Sequence, residues 1–249
     1  MKVKAYAKIN LCLDVLKKDP SGYHKIQTVF HEIKSIYDEI EITPAKNEDV
    51  IFPFLPPKIK AVIPPQKSDD MIFKALMLIK KTFKVKKFVK IKVKKNIPFA
   101  SGLGGGSSDA ATVLKGLNKL WKLKLSKAHL AKLGAKLGMD VPFFIYGGTA
   151  SGLHYGEKIT PLPEIKNIKF KIHSPKITPA TRKTEKNYAK LDLKKCGKNS
   201  EKTKRLIAAI KVKDKKSILE NLHNDFEIII KTSKNHHLSG SGPATFTAK

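Results

Sequence analysis

Pro98-Phe99-Ala100-Ser101-Gly102-Leu103-Gly104-Gly105-Gly106-Ser107-Ser108-Asp109-Ala110-Ala111 is the stretch that decides how this chain is read. Four of the five positions from 102 to 106 are glycine, and helix formers follow from Ala110 through Leu120. A loop stripped of side chains that feeds a helix N-terminus is suited to hold an anion. Free backbone N–H groups point outward there, and the helix dipole favours negative charge. Successive glycines also let N–H groups curl into a concave nest that a phosphate can fill. A flexible linker would not run straight into a helix with Ser and Asp at its start.

Two familiar nucleotide motifs are excluded by inspection. A P-loop closes on Gly-Lys-Ser/Thr, but Gly106 is followed by Ser107. The dinucleotide fingerprint needs a third glycine five residues after the first; Gly102 and Gly104 fit, and position 107 is Ser. Upstream, Val89, Ile91 and Val93 alternate with Lys90, Lys92 and Lys94. That is period two, a strand with one apolar face and one lysine face. The order is therefore strand, turn at Pro98, glycine loop, helix, followed by a second helical stretch from about Ser126 to Leu137. Gly138 would end that stretch.

The loop resembles the second motif of the GHMP kinases. Ala5-Tyr6-Ala7-Lys8-Ile9-Asn10-Leu11, Gly22-Tyr23-His24-Lys25-Ile26-Gln27-Thr28 and Gly138-Met139-Asp140-Val141-Pro142-Phe143 are similar to segments of the branch that phosphorylates 4-diphosphocytidyl-2-C-methyl-D-erythritol in the non-mevalonate isoprenoid pathway. Leu238-Ser239-Gly240-Ser241-Gly242-Pro243-Ala244 is similar to the superfamily's third motif. These matches span residues 5 to 246 in the family's order. The resemblance implies an α+β protein with the two-domain GHMP kinase fold. Its first domain would be ribosomal-S5-like and its second ferredoxin-like, divided here as 1–154 and 155–249.

The resemblance also assigns roles. Pro98, Gly102, Leu103, Gly104, Gly105, Gly106, Ser107 and Ser108 would bind ATP, with Lys95 and Asp70 bordering the adenine. An Asn is more usual where Asp70 stands. Ser107 or Ser108 would begin the helix and touch a phosphate or the Mg2+ that travels with ATP; no metal is held by the protein alone. Asp140 would be the catalytic base. Read without the family, it is equally a turn or cap residue, although a carboxylate is ionised at neutral pH and able to accept a proton. Lys8, alone, reads as the solvent face of a strand. By resemblance it lies beside the aspartate and the acceptor hydroxyl, where it would lower the pKa of that hydroxyl and stabilise transition-state charge. Asn10 shares its strand face and would orient the substrate. Tyr23 and His24 suit a flat polar nucleobase, one stacking and the other reading an edge; in the family that base is cytosine. Thr181 falls in a segment resembling a substrate-lining loop, with Pro175 and Pro179 shifting the register. Gly240 and Gly242 would let the third motif pack against the glycine loop.

Composition bounds the rest. The chain has 249 residues and 41% hydrophobic content, enough for one large or two small cores. No apolar run approaches the 18 or so residues of a membrane span, and Met1-Lys2-Val3-Lys4 leads directly into a strand pattern without a signal core. Cys12 and Cys196 form no motif and fit a reducing, cytoplasmic setting. The eight histidines show no metal spacing. Net charge is +29, from 50 basic and 21 acidic residues. Only Arg182 and Arg205 are arginines, whereas base readers favour arginine's fork. The lysines are dispersed, so solvated faces are the preferred reading over a nucleic-acid partner. The expected state is a monomer or homodimer. Another GHMP small-molecule kinase, of homoserine or mevalonate type, and a non-catalytic nucleic-acid binder are the alternatives.

Elsewhere, Asp19-Pro20-Ser21-Gly22 reads as a turn, residues 25–43 as strands, and about Glu48 to Lys67 as a proline-rich loop with room for one short strand. Asp69-Asp70 would cap a helix to Lys81 through Ile72, Leu76 and Ile79. Residues 168–173 read as strand, and 183–230 as helices broken near Gly197 and Asp214. The stretch from Asn224 to Gly242 is short for the family, and the chain stops at Lys249 where relatives continue through another helix. Lack of that helix would expose apolar surface on the second domain.

Overall fold

The computed structural model describes residues 1–53, 70–174 and 184–249. Two long strands open the chain: β1 (Lys2–Lys18) and β2 (His24–Ala45), of 17 and 22 residues. A usual strand is about 5–6 residues, so each of these is long enough to serve two cores. Accordingly the chain divides into two interleaved compact units. One comprises Met1–Ala7, Lys34–Phe99 and Gly104–Tyr146; the other comprises Lys8–Ile33, Ala100–Leu103 and Gly147–Lys249. This differs from a contiguous division at 154 and 155, because β1 and β2 each contribute one part to each unit.

In the first unit, β3 (Asp49–Ile51) pairs parallel with β4 (Phe88–Lys94), and β4 pairs antiparallel with the second half of β2, Ile42 facing Ile91. Val89, Ile91 and Val93 are buried while Lys92 and Lys94 are exposed, as period two requires. Helix α1 (Met71–Phe83) starts at Asp70, whose Oδ1 accepts from the amides of Ile72 and Phe73 at 2.8 and 3.1 Å. Ile72, Ala75, Leu76 and Ile79 form its buried stripe. Helix α2 (Gly105–Leu120) packs on α1 and on the short α4 (Val141–Tyr146); α3 (Lys127–Gly134), capped by Ser126, packs on α4.

The second unit is built around the rest of β1, in which every residue from Ala7 to Val15 is buried. Lys8, Asn10, Cys12 and Asp14 occupy one face by parity and Ile9, Leu11, Leu13 and Val15 the other. The first half of β2 pairs antiparallel with β5 (Thr149–His154), which pairs with β6 (Lys158–Leu162). On its other side β1 meets β8 (His223–Asn224) in parallel. A second sheet orders β7 (Phe170–His173), β10 (Thr245–Ala248) and β9 (His237–Leu238). Helices α5 (Thr184–Lys190), α6 (Ser200–Val212) and α7 (Lys215–Glu220) complete the unit. Leu13, Val15, Ile26, Leu191, Cys196, Phe226 and Leu238 form one cluster of its core. Asp14 is buried with Thr203 and His223, its Oδ2 accepting from Thr203 at 2.6 Å.

Two boundaries differ from expectation. Helix α2 begins at Gly105, inside the glycine run, because the left-handed Gly104 (φ 74°) sets up the first turn without a side-chain cap. Helix α3 ends at Gly134 rather than Gly138, and residues 135–137 continue as turns.

Candidate active site

In the first unit, the first amides of α2 lack intrahelical partners, and its N-cap residue, Gly104, has no side chain to cap them. Gly104, Gly105 and Ser107 are half-buried and Gly106 is exposed, leaving backbone donors open to an anion. Ser108 differs from Ser107 in exposure. It is buried, and its hydroxyl donates to the Tyr6 carbonyl at 2.6 Å. Ser107 remains the hydroxyl beside the loop. Pro98 is half-buried at the turn before it.

Lys95 lies in the same unit, close to Gly105. Its ammonium is buried between the carboxylates of Asp38 and Asp109. The other Asp38 oxygen accepts from the Ile97 amide at 2.8 Å and from that of Asn96. Burial draws Lys95 toward neutrality, but the charges of Asp109 and Asp38 outweigh it and hold its pKa above the ordinary value. Burial pushes Asp109 up to about 8, against the pull of Lys95 and with the push of Asp38. Its Oδ1 is buried with no hydrogen-bond partner among the described residues. A Cβ added at Gly105 would lie 3.5 Å from the Lys95 Nζ, so this cluster sits directly under the glycine loop. The sequence assigned no role to Asp38 or Asp109; a lone acid within a strand pattern, or in the first turns of a helix, carries no local signal of burial.

Asp140 precedes α4 in a turn closed by the Val141 amide on the Gly138 carbonyl at 3.1 Å. A Cβ at Gly138 would lie 3.8 Å from Ser107 Oγ and 3.5 Å from Met71 Cε. The Gly-Met-Asp turn therefore packs against the first turn of α2. Asp70, whose Oδ1 caps α1, lies next to Met71.

In the second unit, Lys8 is 3% exposed, which removes its reading as a solvent-facing strand lysine. Its Nζ donates to Asn10 Oδ1 at 2.6 Å, Asn10 Nδ2 donates to Thr28 Oγ1 at 2.8 Å, and Thr28 Oγ1 donates to the Cys12 carbonyl at 2.6 Å. Asn10 and Thr28 are buried as well. The third motif closes over this row: a Cβ at Gly240 would stand 3.4 Å from Lys8 Nζ. Ser239 Oγ donates to the Gly102 carbonyl at 2.9 Å, and the Ala244 amide to the Ser101 carbonyl at 2.9 Å. Gly102 (φ 83°) admits no side chain, since a Cβ would lie 2.1 Å from the Ser239 carbonyl oxygen. Leu103 is buried, and its carbonyl accepts from the Lys8 amide at 3.0 Å.

Tyr23 is 55% exposed with its ring 5.4 Å from that of Tyr155. His24 stacks on Tyr188 at 5.2 Å, and Tyr188 meets Phe226 edge-on at 4.8 Å. Burial and the Lys18 charge hold the His24 imidazole below its ordinary range, leaving a neutral ring with one donor and one acceptor at pH 7. Tyr155 and Tyr188 escaped the sequence reading because neither has a motif. Thr181 lies outside the described residues. Among the described residues no group of three or more His, Cys, Asp or Glu is arranged to hold a metal, and no helix is long and apolar enough to cross a membrane.

This fold, with its glycine loop at a helix start, is that of the GHMP kinases, and residues 70–148 match the family model for the GHMP kinases N terminal domain. The chain is 38% identical over 262 residues to 4-diphosphocytidyl-2-C-methyl-D-erythritol kinase of Caldicellulosiruptor saccharolyticus, covering 99% of this chain and 87% of that one. It is 36% identical over 262 residues to the enzyme of the same name from Clostridium tetani, covering 99% and 90%. It belongs to the 4-diphosphocytidyl-2-C-methyl-D-erythritol kinase family. A crystal structure of 4-(cytidine 5'-diphospho)-2C-methyl-D-erythritol kinase superposes with TM-score 0.74 at 26% identity, covering 99% of this chain and 89% of that one. Homoserine kinase from Cytophaga hutchinsonii, 16% identical, shares the fold with TM-score 0.70 over 100% of this chain and 85% of its own.

Proposed function

We propose that this chain transfers the γ-phosphoryl group of ATP to the 2-hydroxyl of 4-diphosphocytidyl-2-C-methyl-D-erythritol, yielding ADP and the 2-phosphate on the non-mevalonate route to isoprenoid precursors. The observation that carries the reading is the packing of the Gly138–Asp140 turn against Ser107 at the open end of α2. A carboxylate-bearing turn thus adjoins a helix start that receives anions.

In the reaction, the 2-hydroxyl oxygen attacks Pγ, its proton passes to Asp140, and the bond from Pγ to the bridging oxygen breaks to release ADP. The backbone donors of Gly104 to Ser107 hold the donor phosphates, with Gly102, Leu103 and Pro98 shaping the loop. Ser107 is the residue that would touch the Mg2+ that travels with ATP, which when bound would supply neutralisation of phosphate charge. Lys95 supports the loop from below rather than contacting adenine, and Asp70 acts by capping α1. Lys8 stabilises the charge that builds in the transition state, and Asn10 holds it. Tyr23 stacks on the cytosine while His24 reads its edge; Thr181 lines the substrate. The enzyme works in the cytoplasm as a monomer or homodimer.

The test is coupled ADP release with 4-diphosphocytidyl-2-C-methyl-D-erythritol, homoserine and mevalonate as separate acceptors. Release with the first alone is expected. Faster turnover with either of the others, or none with any, overturns the assignment.

A further inference from the structure

We propose that Thr28 is a positioning residue for phosphoryl transfer: its hydroxyl fixes the orientation of the Asn10 amide, which in turn holds the Lys8 ammonium. The inference rests on the role of Lys8 given above. Thr28 belongs to the Gly-Tyr-His segment but lies beyond the pair that reads the base, and the reaction as described leaves it unused.

The argument follows from donor counting. A hydroxyl has one proton. The Cys12 carbonyl, 2.6 Å from Thr28 Oγ1, can only accept, so that proton is committed to it. Toward Asn10, Thr28 Oγ1 can then only accept, and the amide must present its NH2 there, at 2.8 Å. The opposite end of the amide, Oδ1, necessarily faces Lys8 Nζ, at 2.6 Å. An amide's two ends are nearly the same size, so shape alone does not choose between them. Reversed, the amide would set an NH2 against an NH3+. Lys8, Asn10 and Thr28 are all buried, so bulk water cannot replace a lost partner, and a network in such surroundings depends on every member being satisfied. The Phe30 ring, 5.5 Å from Lys8 Nζ, and the Gly240 backbone border the ammonium on other sides. The ammonium, which only donates, and the Thr28 oxygen, left only to accept, select the same amide orientation from its two ends.

Thr28→Val removes the hydroxyl at nearly constant volume; Thr28→Ser keeps it. Small displacements of a catalytic group cost up to about a hundredfold in rate. The expected result is a kcat about tenfold to a hundredfold lower for Thr28→Val, with KM for ATP within about twofold and Thr28→Ser close to the unmodified enzyme. Against a Lys8→Ala background Thr28→Val should bring no further loss, because Thr28 acts through Lys8. A kcat for Thr28→Val close to that of the unmodified enzyme, or an equal loss in both backgrounds, overturns the proposal while leaving the role of Lys8 intact. Full turnover by Lys8→Ala removes that role and the proposal with it. Independently of how the variants fold, the Asn10 side-chain amide of the unmodified protein should be protected from hydrogen exchange in its NMR signals. Exchange at the rate of a free amide also overturns it.

Discussion

Replacing Asp109 by Asn should flatten the dependence of stability on pH. Asp109 is 2% exposed in the first turns of α2, with one oxygen on the Lys95 ammonium and the other without a partner among the described residues. Burial raises its pKa to about 8, and the nearby Asp38 adds to the rise despite the Lys95 charge. In the unfolded chain the same group titrates near 4, roughly the ordinary Asp value. Between these values the folded protein holds a proton that the unfolded chain has released. Stability therefore falls as pH rises through this window and levels off above the folded-state value. The largest slope one group can give is about 1.4 kcal/mol per pH unit. From pH 5.5 to 7.5 that is at most about 3 kcal/mol, or roughly 6–12 °C in Tm for a chain of this size. The substituted amide would carry no titrating proton and keep the shape, while the Asp38–Lys95 pair persists. Urea unfolding of both proteins at pH 5.5, 6.5 and 7.5 isolates the effect, since the histidines titrate alike in each and cancel in the difference. Parallel stability curves for the two proteins would refute the placement of a neutral acid under the glycine loop.

Asp140→Asn should lower turnover by about two to four orders of magnitude in ADP-release assays, and turnover near that of the unmodified enzyme would exclude it as the base. Tyr23→Ala should raise KM for the cytidylyl substrate by roughly 5- to 150-fold, the worth of one base–aromatic stack, with KM for ATP unchanged; the reverse pattern would move Tyr23 to the donor side. Gly102→Ala forces a Cβ onto the Ser239 carbonyl at a left-handed position and should cost about 2–5 kcal/mol, read as a fall in Tm; an unchanged Tm would mean the third motif does not pack there. Cys12 and Cys196, with thiols pushed up to about 12 and 11 chiefly by burial, should resist iodoacetamide at pH 8 in the native protein and react once it is unfolded; rapid native labelling, followed by mass spectrometry, would contradict their burial.

Much of the local architecture was legible because its causes are local. Alternation put Val89, Ile91 and Val93 inside and the lysines out, a capping carboxylate marked the start of α1, and strand parity put Lys8 and Asn10 on one face. The glycine run marked a helix start with open backbone donors, although the low helix propensity of glycine hid that α2 begins within it.

What the sequence determined by itself was the inventory: a bare loop, a helix to follow it, a strand carrying Lys8 and Asn10, and the motifs that name the family. Tertiary structure decided which of these groups stay open to solvent and which face each other. Lys95 meets Asp38 from 57 residues away, and Ser239 reaches Gly102 across 137; no periodicity extends so far. A buried charge or amide must find a partner when water is withdrawn, and only the folded chain determines which partner is within reach. For that reason the side chains of Lys95 and Ser108 turned inward from the glycine loop, and Thr28, given no role by its own segment, came to meet Asn10.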